Sequence, residues 1–202
     1  MFAICNLSNI PLRIEPNDRS EIVSQVLFGE HFCIIETDRQ WSKIRLHYDN
    51  YEGWIDSKQY QQITEDQYNR LSNLPIELNS DLVEYISTTT NSLLPITLGA
   101  SVTFLNDFEI NTIGFIFEGL KISGQHPKSN LVQTAYMYLN APYLWGGRTP
   151  FGIDCSGFTQ MVYKLNGYKL ERDAAQQATQ GEVLSFIEES EPGDLAFFDN
   201  EE

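Results

Sequence analysis

The sequence predicts an α+β chain in which small β-rich units precede helices arranged around a cysteine-bearing loop. Three observations carry this reading. Residues 1 to about 60 alternate apolar and polar side chains in short runs cut by turn signals. The stretch Thr97-Leu98-Gly99-Ala100-Ser101-Val102-Thr103-Phe104 lies over Leu27-Phe28-Gly29-Glu30-His31-Phe32-Cys33-Ile34 at an offset of 70, which points to a second β-unit. After Ser123-Gly124-Gln125-His126-Pro127-Lys128 the spacing of apolar residues becomes helical.

Taken in order, the first strands fall on Phe32 to Ile35, on Ile44, Leu46 and Tyr48 alternating with Lys43, Arg45 and His47, and on Gly53-Trp54-Ile55. Turns at Pro16-Asn17-Asp18, Phe28-Gly29 and Asp49-Asn50 separate them, as in a small all-β barrel. Residues 62–81 form a polar segment with scattered leucines, read as a helical connector, and a second barrel is expected over 82–123. Ser129 is placed as the cap of a helix with Leu131, Thr134, Ala135 and Tyr138 on one face, ending before Pro142. A loop rich in glycine and aromatics, Tyr143 to Asp154, leads to Phe158, Met161, Val162 and Leu165 at i, i+3, i+4 and i+7. That pattern predicts a helix stopping at Asn166-Gly167 and beginning at Cys155.

Composition excludes several classes. A chain of 202 residues with 42% hydrophobic and 20% charged side chains has the make-up of an ordinary globular protein. No apolar run approaches the ~20 residues of a membrane span, so membrane insertion is not expected. The net charge of −15 repels phosphate backbones, which argues against nucleic acid as a partner. Met1-Phe2-Ala3-Ile4-Cys5-Asn6 shows no secretory signal, and three cysteines fit a reducing compartment, so a cytoplasmic location is expected. Cys5 and Cys33 read as core or strand fillers. Neither Asp107 and Glu109 nor the acidic cluster over 188–194 has a His or Cys at ligand spacing, so no metal site is expected. Gly146-Gly147 lacks the lysine of a phosphate loop, and no cofactor is expected.

Cys155 carries the chemistry. A thiol at a helix N-terminus feels the positive end of the peptide dipoles, which favours the thiolate. The same turn leaves backbone N–H groups unpaired, ready to hold a developing oxyanion. Position alone leaves two readings open, a nucleophile and an inert buried cysteine.

The order Pro11-Leu12-Arg13, Leu27-Phe28-Gly29-Glu30, Trp41-Ser42-Lys43-Ile44 and Tyr51-Glu52-Gly53-Trp54-Ile55 resembles the bacterial SH3-type domain. The string Tyr143-Leu144-Trp145-Gly146-Gly147-Arg148-Thr149-Pro150-Phe151-Gly152-Ile153-Asp154-Cys155-Ser156-Gly157-Phe158-Thr159-Gln160 resembles the nucleophile segment of the NlpC/p60 cysteine peptidases. Arg172-Asp173-Ala174-Ala175-Gln176-Gln177 and Pro192-Gly193-Asp194-Leu195-Ala196-Phe197-Phe198 match that family's next two blocks in order. The resemblance implies two SH3-like barrels, at 1–61 and in degenerate form at 82–123, followed by a papain-like NlpC/p60 domain over 128–202 whose C-terminal part is missing. The family's base is a histidine after the Pro-Gly-Asp turn, whereas His31, His47 and His126 all precede Cys155. A truncated enzyme is therefore expected, with an inactive natural form as the alternative.

The resemblance further implies Cys155 as nucleophile, Tyr143 as a hydroxyl near the oxyanion, and Trp145 as a pocket wall. Asp154, Ser156, Arg172 and Asp173 are implied to bind the peptide, although Ala174 stands where these enzymes often have a hydroxyl. Glu30 and Tyr51 stand where the first barrel of the recycling enzymes closes the cleft; an exposed turn carboxylate and a surface aromatic are equally open readings. The implied activity is hydrolysis of the γ-D-glutamyl–diamino acid bond of short murein peptides with a free N-terminal L-alanine, in cell-wall recycling. The alternative is a wall-peptide binding protein carrying a catalytically dead remnant.

Overall fold

The computed structural model describes residues 1–105, 109, 110 and 112–198, so Asp107 and Glu202 lie outside the described residues. Seven strands open the chain: β1 (Phe2–Ile4), β2 (Asn9–Arg13), β3 (Ile22–Leu27), β4 (His31–Asp38), β5 (Trp41–Leu46), β6 (Glu52–Asp56) and β7 (Gln61–Ile63). They form one sheet in the order β3-β2-β6-β5-β4-β1-β7 with antiparallel pairing. Strict alternation along β2 and β6 sends every second side chain inward, so that Ile10, Leu12, Ile44, Leu46 and Ile55 meet Ala3, Val26 and Phe32 in one core. The expected boundary at 61 falls inside β7, because Ile63 pairs with Phe2 and extends the sheet.

The connector contains α1 (Glu65–Asn73), started by a capping box between Thr64 and Gln67 and anchored by buried Leu71. It also contains β8 (Glu77–Asn79), which the polar character of the segment concealed. Beyond it come β9 (Val83–Thr88), β10 (Leu93–Thr97), β11 (Phe115–Phe117) and β12 (Lys121–Ser123). These make a three-stranded sheet β10-β9-β11 and a two-stranded ladder β12-β8, with an isolated bridge Leu78↔Ser101. The second unit thus reaches back across the expected boundary at 82 to recruit β8.

The stretches that match at an offset of 70 pack on each other. Gly29 and Gly99 both adopt positive φ (76° and 79°), and the Ser101 amide donates to the Phe28 carbonyl at 2.8 Å. A side chain at Gly29 would run into the Ser101 backbone, so the turn accepts only glycine. Ile4 and Phe28 of the first sheet share a core with Ile86, Ile96, Val102 and Phe104.

The last third holds α2 (Ser129–Tyr136), the short hairpin β13 (Arg148–Thr149) and β14 (Gly152–Ile153), α3 (Cys155–Leu165), α4 (Ala174–Gln177) and a 3-10 turn at Ile187–Glu189. Ser129 is the first helical residue of α2 rather than its cap: Lys128 occupies the cap position in helical conformation, and no side chain bonds the helix start. Met161, Val162 and Leu165 of α3 pack on Leu131 and Tyr138, and the same core takes in Leu27 and Leu98 from the two β-units. The helix therefore sits at the junction of all three parts. Among the described residues no helix is long and apolar enough to cross a membrane.

Candidate active site

The site is built around the start of α3. Asp154 caps the helix, its Oδ1 accepting from the Gly157 amide at 2.6 Å. Its Oδ2 accepts from the Gly146 amide at 2.8 Å and so ties the glycine turn to the helix start. Gly146 has φ 77°, and a side chain there would meet the backbone of Ile22 on β3. Arg172, 1% exposed, grips both oxygens of Asp154 (3.1 and 2.7 Å), donates to Ser156 Oγ at 2.9 Å, and reaches Ser24 of the first sheet with Nε at 3.0 Å. Gln177 completes the frame by donating to the carbonyls of Ser156 and Glu171.

On this frame Cys155 is the first residue of α3, and its thiol is free and exposed. A helix start leaves its leading N–H groups without intrahelical partners, and Asp154 occupies only that of Gly157. Tyr143 is brought alongside by an isolated parallel bridge to Ile153, reinforced by Leu144 N–H to Ile153 O at 3.2 Å. Its hydroxyl is held above the ordinary tyrosine value by desolvation and then by electrostatic interaction with Cys155 and Asp154. Trp145 is exposed, and its indole N–H donates to Glu21 Oε1 at 2.6 Å. On the far side of Arg172, the Tyr51 hydroxyl donates to Asp173 Oδ1 at 3.0 Å, joining the first sheet to the cap of α4.

The residues expected to form the site divide into two groups. Cys155, Tyr143 and Trp145 face solvent, and half-buried Asp173 and Tyr51 meet each other. Asp154, Ser156 and Arg172 are buried and bonded to one another at the start of α3. Glu30 departs further. It is 5% exposed, accepts from both Arg148 nitrogens (2.9 and 3.0 Å), from Lys164 Nζ at 2.6 Å and from the Leu27 amide. Burial pushes its carboxyl up, but Arg148 and Lys164 outweigh it and hold the pKa at about 2. It is therefore not an exposed turn carboxylate.

Sequence reasoning missed Glu21, Ser24, Arg148, Lys164 and Gln177. Arg148 stands inside the motif string, but its partner Glu30 lies 118 residues away, and no local pattern announces such a pair. The histidines collect elsewhere. The His126 amide bonds the Asn166 carbonyl at the far end of α3, and His47 lines a cleft with Lys164 and Gly167 at that same end. His31 stacks on His47 with ring centres 4.5 Å apart. At ~1.5 Å per residue, the far end of α3 is about 15 Å from Cys155.

Residues 12–59 match the bacterial dipeptidyl-peptidase Sh3 domain and residues 140–202 match the NlpC/P60 family. Among curated proteins it is similar to a gamma-D-glutamyl-L-lysine dipeptidyl-peptidase of Bacillus subtilis, 29% identical, covering 90% of this chain and 65% of that protein. It is also similar to dipeptidyl-peptidase 6 of Lysinibacillus sphaericus, 29% identical over 93% of this chain and 78% of that protein. A crystal structure of an NlpC/P60 family protein from Bacillus cereus superimposes with a TM-score of 0.80 at 18% identity, covering 96% of this chain and 81% of that one, which establishes a common fold.

Proposed function

We propose that this chain carries the nucleophile and part of the substrate cleft of a cysteine peptidase that cleaves the γ-D-glutamyl–diamino acid bond of short murein peptides. The observation that carries the reading is the exposed Cys155 thiol at the first position of α3, on a helix start clamped by Asp154 and Arg172. The name of the Bacillus subtilis relative supports the bond cleaved. The Cys155 thiolate attacks the γ-carbonyl carbon, and the first-turn amides with the Tyr143 hydroxyl face the resulting oxyanion. The C–N bond breaks, the amine leaves with a proton, and water then hydrolyses the thioester, releasing the acid and restoring the thiol. With its histidines near or beyond the far end of α3, the reaction takes its proton acceptor from a group other than these three.

The substrate is a short peptide with a free N-terminal L-alanine, whose ammonium is received by Asp173 and the Tyr51 hydroxyl at the seam with the first sheet. Such chemistry suits cell-wall recycling in the cytoplasm. The strands from β8 to β12 are read here as a second, degenerate SH3-type barrel. A chloromethyl ketone of L-Ala-γ-D-Glu tests the central assignment by intact-mass labelling. One equivalent is expected on Cys155 and none on Cys155→Ala, with buried Cys5 and half-buried Cys33 as internal controls. Labelling no faster at Cys155 than at Cys33 overturns it.

A further inference from the structure

A cleft of about 630 Å³, separate from Cys155, opens where the first sheet, the connector, β12 and the far end of α3 meet. Its volume falls in the range of small-molecule sites, and junctions between units are where such sites concentrate. Ile76, Leu78, Ile122 and Leu165 give it apolar walls. A smaller cavity of about 180 Å³ continues it, sharing His47, Tyr48, Ile76, Leu78 and Lys164.

The charge around the main cleft is unlike that of the rest of the chain. The chain has 28 acidic side chains against 13 lysines and arginines. Among the described residues no acidic side chain lines this cleft, whereas Lys164, Lys169 and His47 do. Lys164 is occupied by Glu30 at 2.6 Å. Lys169 is exposed and, among the described residues, makes no ion pair. His47 is held below its ordinary value by burial and then by the positive charge of Lys169, and both side chains line the cleft. An anion placed there relieves that repulsion while an attached apolar body covers the isoleucine and leucine walls.

We propose that this cleft binds a small organic anion with an apolar body, of the class of medium-chain or aryl carboxylates. The carboxylate sits between Lys169 and His47 and the hydrocarbon lies along Ile76 and Ile122. The site is independent of the proposed peptidase chemistry at Cys155.

Titrations of the isotopically labelled chain with octanoate, octan-1-ol and octylammonium, followed by NMR, test it. Octanoate is expected to shift the resonances of His47 and Tyr168 saturably and to raise the His47 titration midpoint, since a nearby anion favours the imidazolium. Octanol and octylammonium are expected to bind at least about tenfold more weakly, as is octanoate to Lys169→Glu, while Lys169→Arg keeps its affinity. Ile76→Asp, on the wall, is expected to weaken octanoate and octanol alike. Equal binding of octanol and octanoate, an unaffected Lys169→Glu or Ile76→Asp, or no saturable shift up to about 10 mM overturns the proposal.

Discussion

Glu30 holds two cations that come from different elements of the last third of the chain, Arg148 on the hairpin and Lys164 near the end of α3. Removing one partner of a buried ion cluster leaves uncompensated charge, a change that costs about 3–5 kcal/mol. Glu30→Gln is therefore expected to lower the unfolding free energy by roughly that amount in urea titrations at neutral pH. Acid acts through the same residue. Its pKa is about 2 in the fold against 4.5 unfolded, so its contribution is complete above pH 4.5 and is lost as pH falls from there towards 2. His31 adds an earlier step. Burial, and then the charge of His47, holds it at about 3 against 6.5 unfolded, so the fold keeps it neutral and the stability this gives is lost as pH drops below 6.5. His31→Asn should flatten the decline between pH 6.5 and 4.5 and make the decline from 4.5 to about 3 shallower, leaving there only the part that Glu30 contributes. An unchanged profile between those values would remove His31 from the account.

At the scale of the element, α3 is held by its start as much as by its buried face. Asp154 caps the helix, fixes the Gly146 turn and neutralises Arg172. Asp154→Ala loses the cap, at about 0.5–2 kcal/mol, and strands a buried guanidinium, so a loss of at least about 3 kcal/mol is expected. Asp154→Asn keeps an acceptor for the Gly157 amide and should lose less. Equal losses in the two variants would show that the ion pair, not the cap, carries the effect. The core face of α3 was legible at this scale. Met161, Val162 and Leu165 are buried as their spacing predicts, and the helix stops at Asn166 with Gly167 at φ 77°. The start of α2 was not legible, because serine is equally at home as a cap and as a first helical residue, and only the backbone of Lys128 decides which.

In the whole molecule, three parts share their interiors. Leu27 and Leu98 enter the core under α3, Ile4 and Phe28 enter the core of the second unit, and Ser24 and Gln25 of β3 receive Arg172 and Arg148. Parts joined in this way unfold together, so one calorimetric transition is expected, with its calorimetric and van't Hoff enthalpies equal. Two resolved transitions would mean that the first sheet and the last third are independent. Turnover is also a property at this scale. With its three histidines gathered around the far end of α3, the 202-residue chain should hydrolyse L-Ala-γ-D-Glu-L-Lys at no more than a trace rate while its thiol still reacts with the chloromethyl ketone. Full turnover would show that another group already serves as base. Where turnover is supplied, N-acetylation of the substrate should lower kcat/KM about tenfold to a hundredfold through lost charge-assisted hydrogen bonds, and Tyr51→Phe should shrink that difference.

The sequence by itself determined what repeats at short range. The alternation of β2 and β6, the helical face of α3, the position of Cys155 at its start and the ordered blocks of two families are all written within windows of a few residues to a few tens. The two turns that match at an offset of 70 pack against each other, a contact that the match itself does not predict. The tertiary structure alone decided the charge pairing. Glu30 stands where a substrate clamp is read from order along the chain, yet it spends its charge on Arg148 and Lys164, and Arg172 spends its own on Asp154. A motif names which groups are present. Burial and the identity of the nearest opposite charge settle whether a group remains free to meet a ligand, and in this chain those neighbours lie up to 134 residues away.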